Sequence, residues 1–217
     1  MDTLTYVEII ATISSIACVW LSVRRNILTW AVGIVGVLGF LYIFVAVGLW
    51  GDASLQIVYL VQSFYGWWHW HRLRRPPAKD SGALDDFTAL QPDANASQYD
   101  RQNEGIHSLT ADEGTWSLLA FCILFGGYMG VLTQIGDENS YPFLDSLATS
   151  LSLVANFWLG RKILQSWYLW LVADVVLVAL CALKALYISA AMYVVFLGLA
   201  AWGLVTWRRE WQKLRNL

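Results

Sequence analysis

The chain carries one unit twice. Residues 8–72 match residues 145–209 at a single offset, 137, without a gap. Glu8, Ala11, Thr12 and Ser15 recur as Asp145, Ala148, Thr149 and Ser152. Arg24, Arg25 and Trp30 recur as Arg161, Lys162 and Trp167, and Gly66, Trp70 and Arg72 as Gly203, Trp207 and Arg209. Only 13 of the 65 positions are identical, so the weight rests on the unbroken register of the charged and aromatic landmarks. Both copies consist of apolar stretches, and internal repeats in membrane proteins most often build transporters that hold substrate between the two halves.

Hydrophobic residues make up 58% of the 217, and the mean hydropathy is +0.51. A span needs about 20 apolar residues to cross a core of about 30 Å. The segments that qualify are 5–22, 28–49, 53–70, 115–135, 144–160, 164–183 and 186–207. The expected fold class is therefore an all-α membrane protein with seven transmembrane helices.

Cationic residues set the expected orientation. Of the 14 Lys and Arg residues, 13 follow the first, third, fifth or seventh span or lie in the segment after the third, and only Lys184 falls on the other side. By the positive-inside rule the amino terminus is outside and the carboxyl terminus cytoplasmic. The start, with Asp2 and Glu8 and no basic region, does not read as a cleavable signal peptide. Three spans return the chain to the opposite face, and a fourth restores its direction, so the two units run parallel about an axis along the membrane normal. This 3+1+3 parallel repeat has the helix plan of full-length SWEET-like carriers, an analogy of architecture alone.

The organisation read from this is a first three-helix repeat at 1–72, an acidic cytoplasmic linker at 73–114, a connecting helix at 115–137, a second repeat at 138–210 and a tail at 211–217. Eight carboxylates between Pro76 and Gly114 stand against Lys79 and Arg101, a composition expected of a disordered tether. Cys18, Cys122 and Cys181 lie inside spans without metal or redox spacing. His69 and His71 flank Trp70 at a membrane edge and read as interfacial anchors. No phosphate-cradling loop, HExxH helix or GxSxG elbow is present, so neither an enzyme nor a cofactor is expected, and nothing points to nucleic acid.

The chemistry sits inside the spans. A charge at mid-bilayer costs at least about 2.5–3.5 kcal/mol, which makes an intramembrane carboxylate a functional candidate by default. Asp174 lies about 15 Å into the sixth span by the 1.5 Å rise. Trp167, Trp170 and Asp174 follow i, i+3, i+7 spacing and share a helix face. Two indole surfaces leading to an anion suit a flat cationic ring. Asn156 in the fifth span and Gln62 in the third add groups that donate and accept hydrogen bonds. A competing role for each is helix pairing, with Trp167 also placed for the interfacial belt.

These residues carry a family resemblance. Tyr65-Gly66-Trp67-Trp68-His69-Trp70, Tyr141-Pro142-Phe143-Leu144-Asp145-Ser146, and Arg161-Lys162 followed by Ser166-Trp167-Tyr168-Leu169-Trp170 resemble the hallmarks of PnuC-type vitamin transporters. The resemblance covers every span and leaves only the acidic linker unmatched. It implies a multi-pass bacterial inner-membrane importer of nicotinamide riboside. It further implies facilitated diffusion and substrate trapping by a cytosolic kinase that need not touch the transporter. Trp167, Trp170, Asn156 and Asp174 would line the central cavity, with Gln62 and Trp67 from the third span as further binding residues. The riboside carriers tend to have Asn where this chain has Asp174 and where it has Ser63. Thiamine, also a cationic aromatic, is therefore the alternative, and neutral riboflavin fits least well. An oligomer is compatible with the sequence, and a membrane scaffold working through the acidic linker is the remote alternative.

Overall fold

The computed structural model describes residues 3–46, 48, 50–73, 105–135 and 141–215. Among these are seven helices: α1 (Thr3–Val23), α2 (Leu28–Ala46), α3 (Trp50–Leu73), α4 (Ala111–Ile135), α5 (Pro142–Gly160), α6 (Ser166–Leu183) and α7 (Tyr187–Arg215). Adjacent helices pack in the order α1, α2, α3, α5, α6, α7 and back to α1, a ring in which α4 stands outside against α5. The offset of 137 maps α1, α2 and α3 onto α5, α6 and α7. The two contacts that join the halves, α3 on α5 and α7 on α1, are thus copies of one interface.

The register read from the sequence recurs in the backbone. Arg25 and Lys162, equivalent positions in the turns α1–α2 and α5–α6, both take left-handed conformations, with φ of 55° and 59°. A non-glycine residue seldom does so, and sharing the exception ties the two turns together. The carboxyl ends of α1, α3, α5 and α7 meet on one face. There the Trp70 indole N–H donates to the Gly160 carbonyl at 3.0 Å, and the Trp207 N–H to Ser22 and Val23 carbonyls at 3.2 and 3.3 Å. Gly160 and Val23 are themselves repeat equivalents. The two units therefore run parallel.

Tryptophan wedged on glycine holds each unit together. The Trp30 ring lies on Gly66, and the Trp167 ring on Gly203, where an added Cβ would stand 2.6 Å from three ring atoms. Trp30 meets Trp70 edge-on with centroids 5.5 Å apart, and Trp167 meets Trp207 in the same way at 5.5 Å. Trp70 and Trp207 then approach each other at 6.4 Å on the pseudo-twofold axis. Each such aromatic pair adds about 0.5–1.5 kcal/mol beyond its buried area. The four rings close the middle of the bundle on the face where the cationic residues gather. Gly33, Gly36 and Gly39 serve packing too, bringing α2 against Cys18, Ser15 and Ala11 of α1. Gly126 and Gly127 in α4 meet nothing within 4 Å, so close packing does not account for them.

Five helices, α1, α2, α4, α6 and α7, are long and apolar enough to cross a membrane by length and composition. Seven spans are expected from the sequence. The remaining two, α3 and α5, pack side by side in the ring, where Asn156 and Gln62 pair with each other between the helices. Opposite the tryptophan cluster, Lys184 pairs with Asp145 at 3.0 Å.

The expected linker, 73–114, falls mostly on residues outside those described. Its end differs from a solvated tether, since α4 begins at Ala111 and not at 115. His107 exchanges backbone hydrogen bonds with the α5–α6 turn, donating to the Lys162 carbonyl at 3.3 Å and accepting from the Leu164 N–H at 3.0 Å. Leu109 N–H donates to the Gln165 side chain at 2.9 Å, Ile106 is buried, and Arg161 pairs with Glu113 at 2.8 Å. Ile106 and Leu109 supply the apolar anchors that the acidic composition had masked.

Candidate substrate cavity

A cavity of about 270 Å³ lies within the ring, bounded by residues from all six repeat helices. Every lining residue from the second unit has its repeat equivalent in the lining as well: Ser152 answers Ser15, Trp167 answers Trp30, and Ala200 answers Ser63. The cavity thus sits on the pseudo-twofold axis. Its chemistry does not obey the axis. Val37 faces the site where the other half carries Asp174, Gly33 where it carries Trp170, and Val19 where it carries Asn156.

Asp174 is 3% exposed and sits in the middle of α6. Among the described residues no hydrogen bond or ion pair holds its carboxylate. A buried carboxylate without a protein partner is costly unless something else pairs with it. Trp170 is partly exposed on the same helix face, one turn nearer the α5–α6 turn, and supplies aromatic surface there, as Phe40 and Phe196 do elsewhere in the lining. Trp167 belongs to the lining but is almost wholly buried. It is 1% exposed, packed on Gly203 and Trp207, and its buried N–H has no partner among the described residues. Trp30 repeats that arrangement in the first unit.

Polar groups enter from the other helices as well, among them Ser15 and Ser22 on α1 and Thr29 on α2. Gln56, Tyr59 and Ser63 on α3, Ser152 and Asn156 on α5 and Tyr193 on α7 line the cavity. The Asn156 amide N–H donates to Gln62 Oε1 at 2.8 Å, and the Gln62 amide N–H donates to the Leu153 carbonyl at 3.1 Å. That chain fixes the Asn156 amide and stitches α3 to α5.

Four of the six residues expected at the site, Asn156, Trp167, Trp170 and Asp174, come together here. Gln62 does not line the cavity. It stands behind Asn156, facing a lateral groove. Trp67 is also placed elsewhere, on the outside of the bundle and 41% exposed. The inward stripe of α3 runs Ser63, Gly66, Trp70 at i, i+3, i+7, and Trp67 is one residue, about 100°, off it. Of the residues not foreseen, Trp30 had a signal in the repeat itself, as the equivalent of Trp167, whereas Gln56, its equivalent Tyr193, and Tyr59 had none.

The model of the nicotinamide mononucleotide transporter family matches residues 5–209. The chain belongs to that family. A member from Escherichia coli strain K12, the nicotinamide riboside transporter PnuC, is 24% identical over 206 residues, covering 94% of this chain and 85% of its own. The riboflavin/roseoflavin transporter RibM of Streptomyces davaonensis is 24% identical over 200 residues, covering 92% and 83%. A crystal structure of the vitamin B3 transporter PnuC superposes with a TM-score of 0.66 at 19% identity, over 96% of this chain and 83% of that one. In this family the seven-helix fold is thus the fold of a membrane transporter and not of an enzyme. The likeness to SWEET carriers stays an analogy of helix plan.

Proposed function

We propose that this transporter imports nicotinamide riboside across the bacterial inner membrane by facilitated diffusion, with thiamine as the alternative cargo. The observation that carries the reading is the cavity's lining, which joins a buried carboxylate and aromatic rings to amides and hydroxyls. On α6, Trp170 offers a ring face beside the Asp174 carboxylate, which suits a planar cation; such contacts are worth about 0.5–2 kcal/mol for the ring face alone. Amides and hydroxyls from the other helices of the ring suit a substituent rich in hydroxyl groups. A ribosylated pyridinium uses both sets of groups. Thiamine uses the first fully and the second with a single hydroxyl. A neutral flavin, which RibM is named for carrying, leaves Asp174 without a counter-charge.

Transport follows as alternating access about the axis between the repeats. The tryptophan cluster closes the cavity on the cationic face, read as cytoplasmic, so release requires Trp70 and Trp207 to part as the halves rock. No group that binds or hydrolyses nucleotide is needed; a cytosolic kinase that phosphorylates the cargo would keep uptake running downhill.

Calorimetric titration of the purified protein with nicotinamide riboside, thiamine and riboflavin tests the reading. Riboside is expected to bind at least about tenfold more tightly than thiamine, and riboflavin to give no saturable heat. Tighter thiamine binding would reassign the cargo, and saturable riboflavin binding would remove the charge argument altogether. Trp170→Ala is expected to lower riboside affinity by about 1–3 kcal/mol, the usual worth of a base stacked on an aromatic side chain. Trp67→Ala, on the outer surface, should leave it unchanged. Against a scaffold role, deletion of residues 78–103 is expected to preserve uptake. Extending the deletion to 112 removes the strap on the α5–α6 turn and should lower it.

A further inference from the structure

Beside the central cavity, a second and larger recess of about 510 Å³ opens on the side of the bundle between α3, α4 and α5. Its walls are apolar along most of their length: Val58 on α3, Ala120 and Leu124 on α4, Leu153 and Phe157 on α5. Its floor is fixed by the Trp158 N–H donating to Ser117 Oγ at 2.7 Å. Three charged residues, Asp112, Glu113 and Arg161, gather at one end only. From Asp112 to Leu124 the groove follows α4 for about 18 Å at 1.5 Å per residue. That is the depth of one leaflet of a hydrocarbon core of about 30 Å, with its charged end at the level of the helix start. Exposed Trp116 stands at the same end, where interfacial aromatics belong.

We infer that this groove holds one phospholipid with a primary-amine headgroup, an acyl chain lying along α4 and the headgroup at the Asp112–Arg161 end. Length selects an acyl chain, since a helix of a partner protein would continue through both leaflets. Charge selects the headgroup. Glu113 is occupied, accepting from Arg161 at 2.8 Å and from the Thr110 N–H and hydroxyl at 3.0 and 2.9 Å. Asp112 is exposed at the mouth and free to accept from an ammonium, while the remaining guanidinium donors of Arg161 meet the phosphate. A trimethylated choline cannot donate to Asp112, and a headgroup with no cation meets an acidic rim. Gln62 forms part of the groove wall while holding Asn156, so the lipid borders the hydrogen-bond chain that positions a residue of the cavity.

Native mass spectrometry of the full chain, released from micelles doped in turn with phosphatidylethanolamine, phosphatidylcholine and phosphatidylglycerol, tests the site. One phosphatidylethanolamine per chain is expected to persist, at about tenfold higher occupancy than either other lipid. Ala120→Trp fills the groove from the exposed side of α4 and should abolish retention. Asp112→Asn should erase the preference for ethanolamine over choline. A thermal melt of each variant separates loss of the site from loss of the fold. Equal retention of all three lipids, or unchanged retention in a folded Ala120→Trp variant, overturns the assignment. So does a second copy of the chain, detected as a dimer that Ala120→Trp dissociates. None of these readouts depends on the identity of the transported molecule.

Discussion

Gly203→Leu is expected to yield no folded transporter, and Gly66→Leu likewise. At each position a Cβ alone would intrude on the ring of the tryptophan wedged there, 2.6 Å from Trp167 in the second unit and closer still to Trp30 in the first. The tryptophan cannot withdraw, because Trp167 is locked against Trp207, and Trp30 against Trp70. Overpacking by a single methyl group costs about 1–3 kcal/mol, so even Gly203→Ala should lower the melting temperature measurably. Gly198→Leu, one and a half turns away on the same helix, is the matched control. Nothing lies within 4 Å of its Cβ position, and exchanging a helical glycine gains up to about 1 kcal/mol of helix propensity. Fluorescence-detected size-exclusion after a temperature ramp reads all four variants in crude detergent extract. A Gly203→Leu protein that melts with the wild type would show that the α6–α7 wedge is dispensable.

Asp174→Asn should lower affinity for a cationic vitamin by roughly 10- to 150-fold, the equivalent of about 1.5–3 kcal/mol for a hydrogen bond to a charged group. The replacement keeps the shape of the side chain, removes its charge and exchanges one acceptor oxygen for an N–H donor. It should therefore leave the fold intact, and should even stabilise the empty protein, because the carboxylate has no hydrogen-bond or ion-pair partner among the described residues. Opposite movements of melting temperature and ligand affinity would mark Asp174 as the counter-charge of the cargo. Unchanged affinity for riboside and thiamine in a folded variant would remove it from the site.

Much of the architecture was legible in the sequence because a repeat announces itself twice. Arg24-Arg25-Trp30 and Arg161-Lys162-Trp167 fixed the register before any contact was visible, and the structure returns it in paired turns, paired wedges and paired hydrogen bonds. Helix phase was harder to read. Trp67 and Gln62 have the chemistry of a binding site, yet each lies one residue off the inward stripe of α3, a difference of about 100° that an apolar helix without a polar outer face does not disclose. Gln62 turned out to hold Asn156 in place, a role visible only once α3 and α5 are side by side. Acidic composition hid the strap at 105–110, because two apolar residues, Ile106 and Leu109, anchor a segment whose surroundings are mostly polar.

The mismatch between a symmetric cavity and its one-sided chemistry makes the transporter divisible. Because the axis relating the halves runs along the membrane normal, moving the carboxylate from position 174 to its counterpart at 37 turns the proposed recognition site by half a revolution while leaving it open to the same compartments. In an inverted repeat the same exchange would swap inside for outside. Two lobes related this way form a scaffold in which either lobe is free to carry the specificity. New cargoes are then reachable by rewriting one lobe, with the other left as the fixed wall against which it moves.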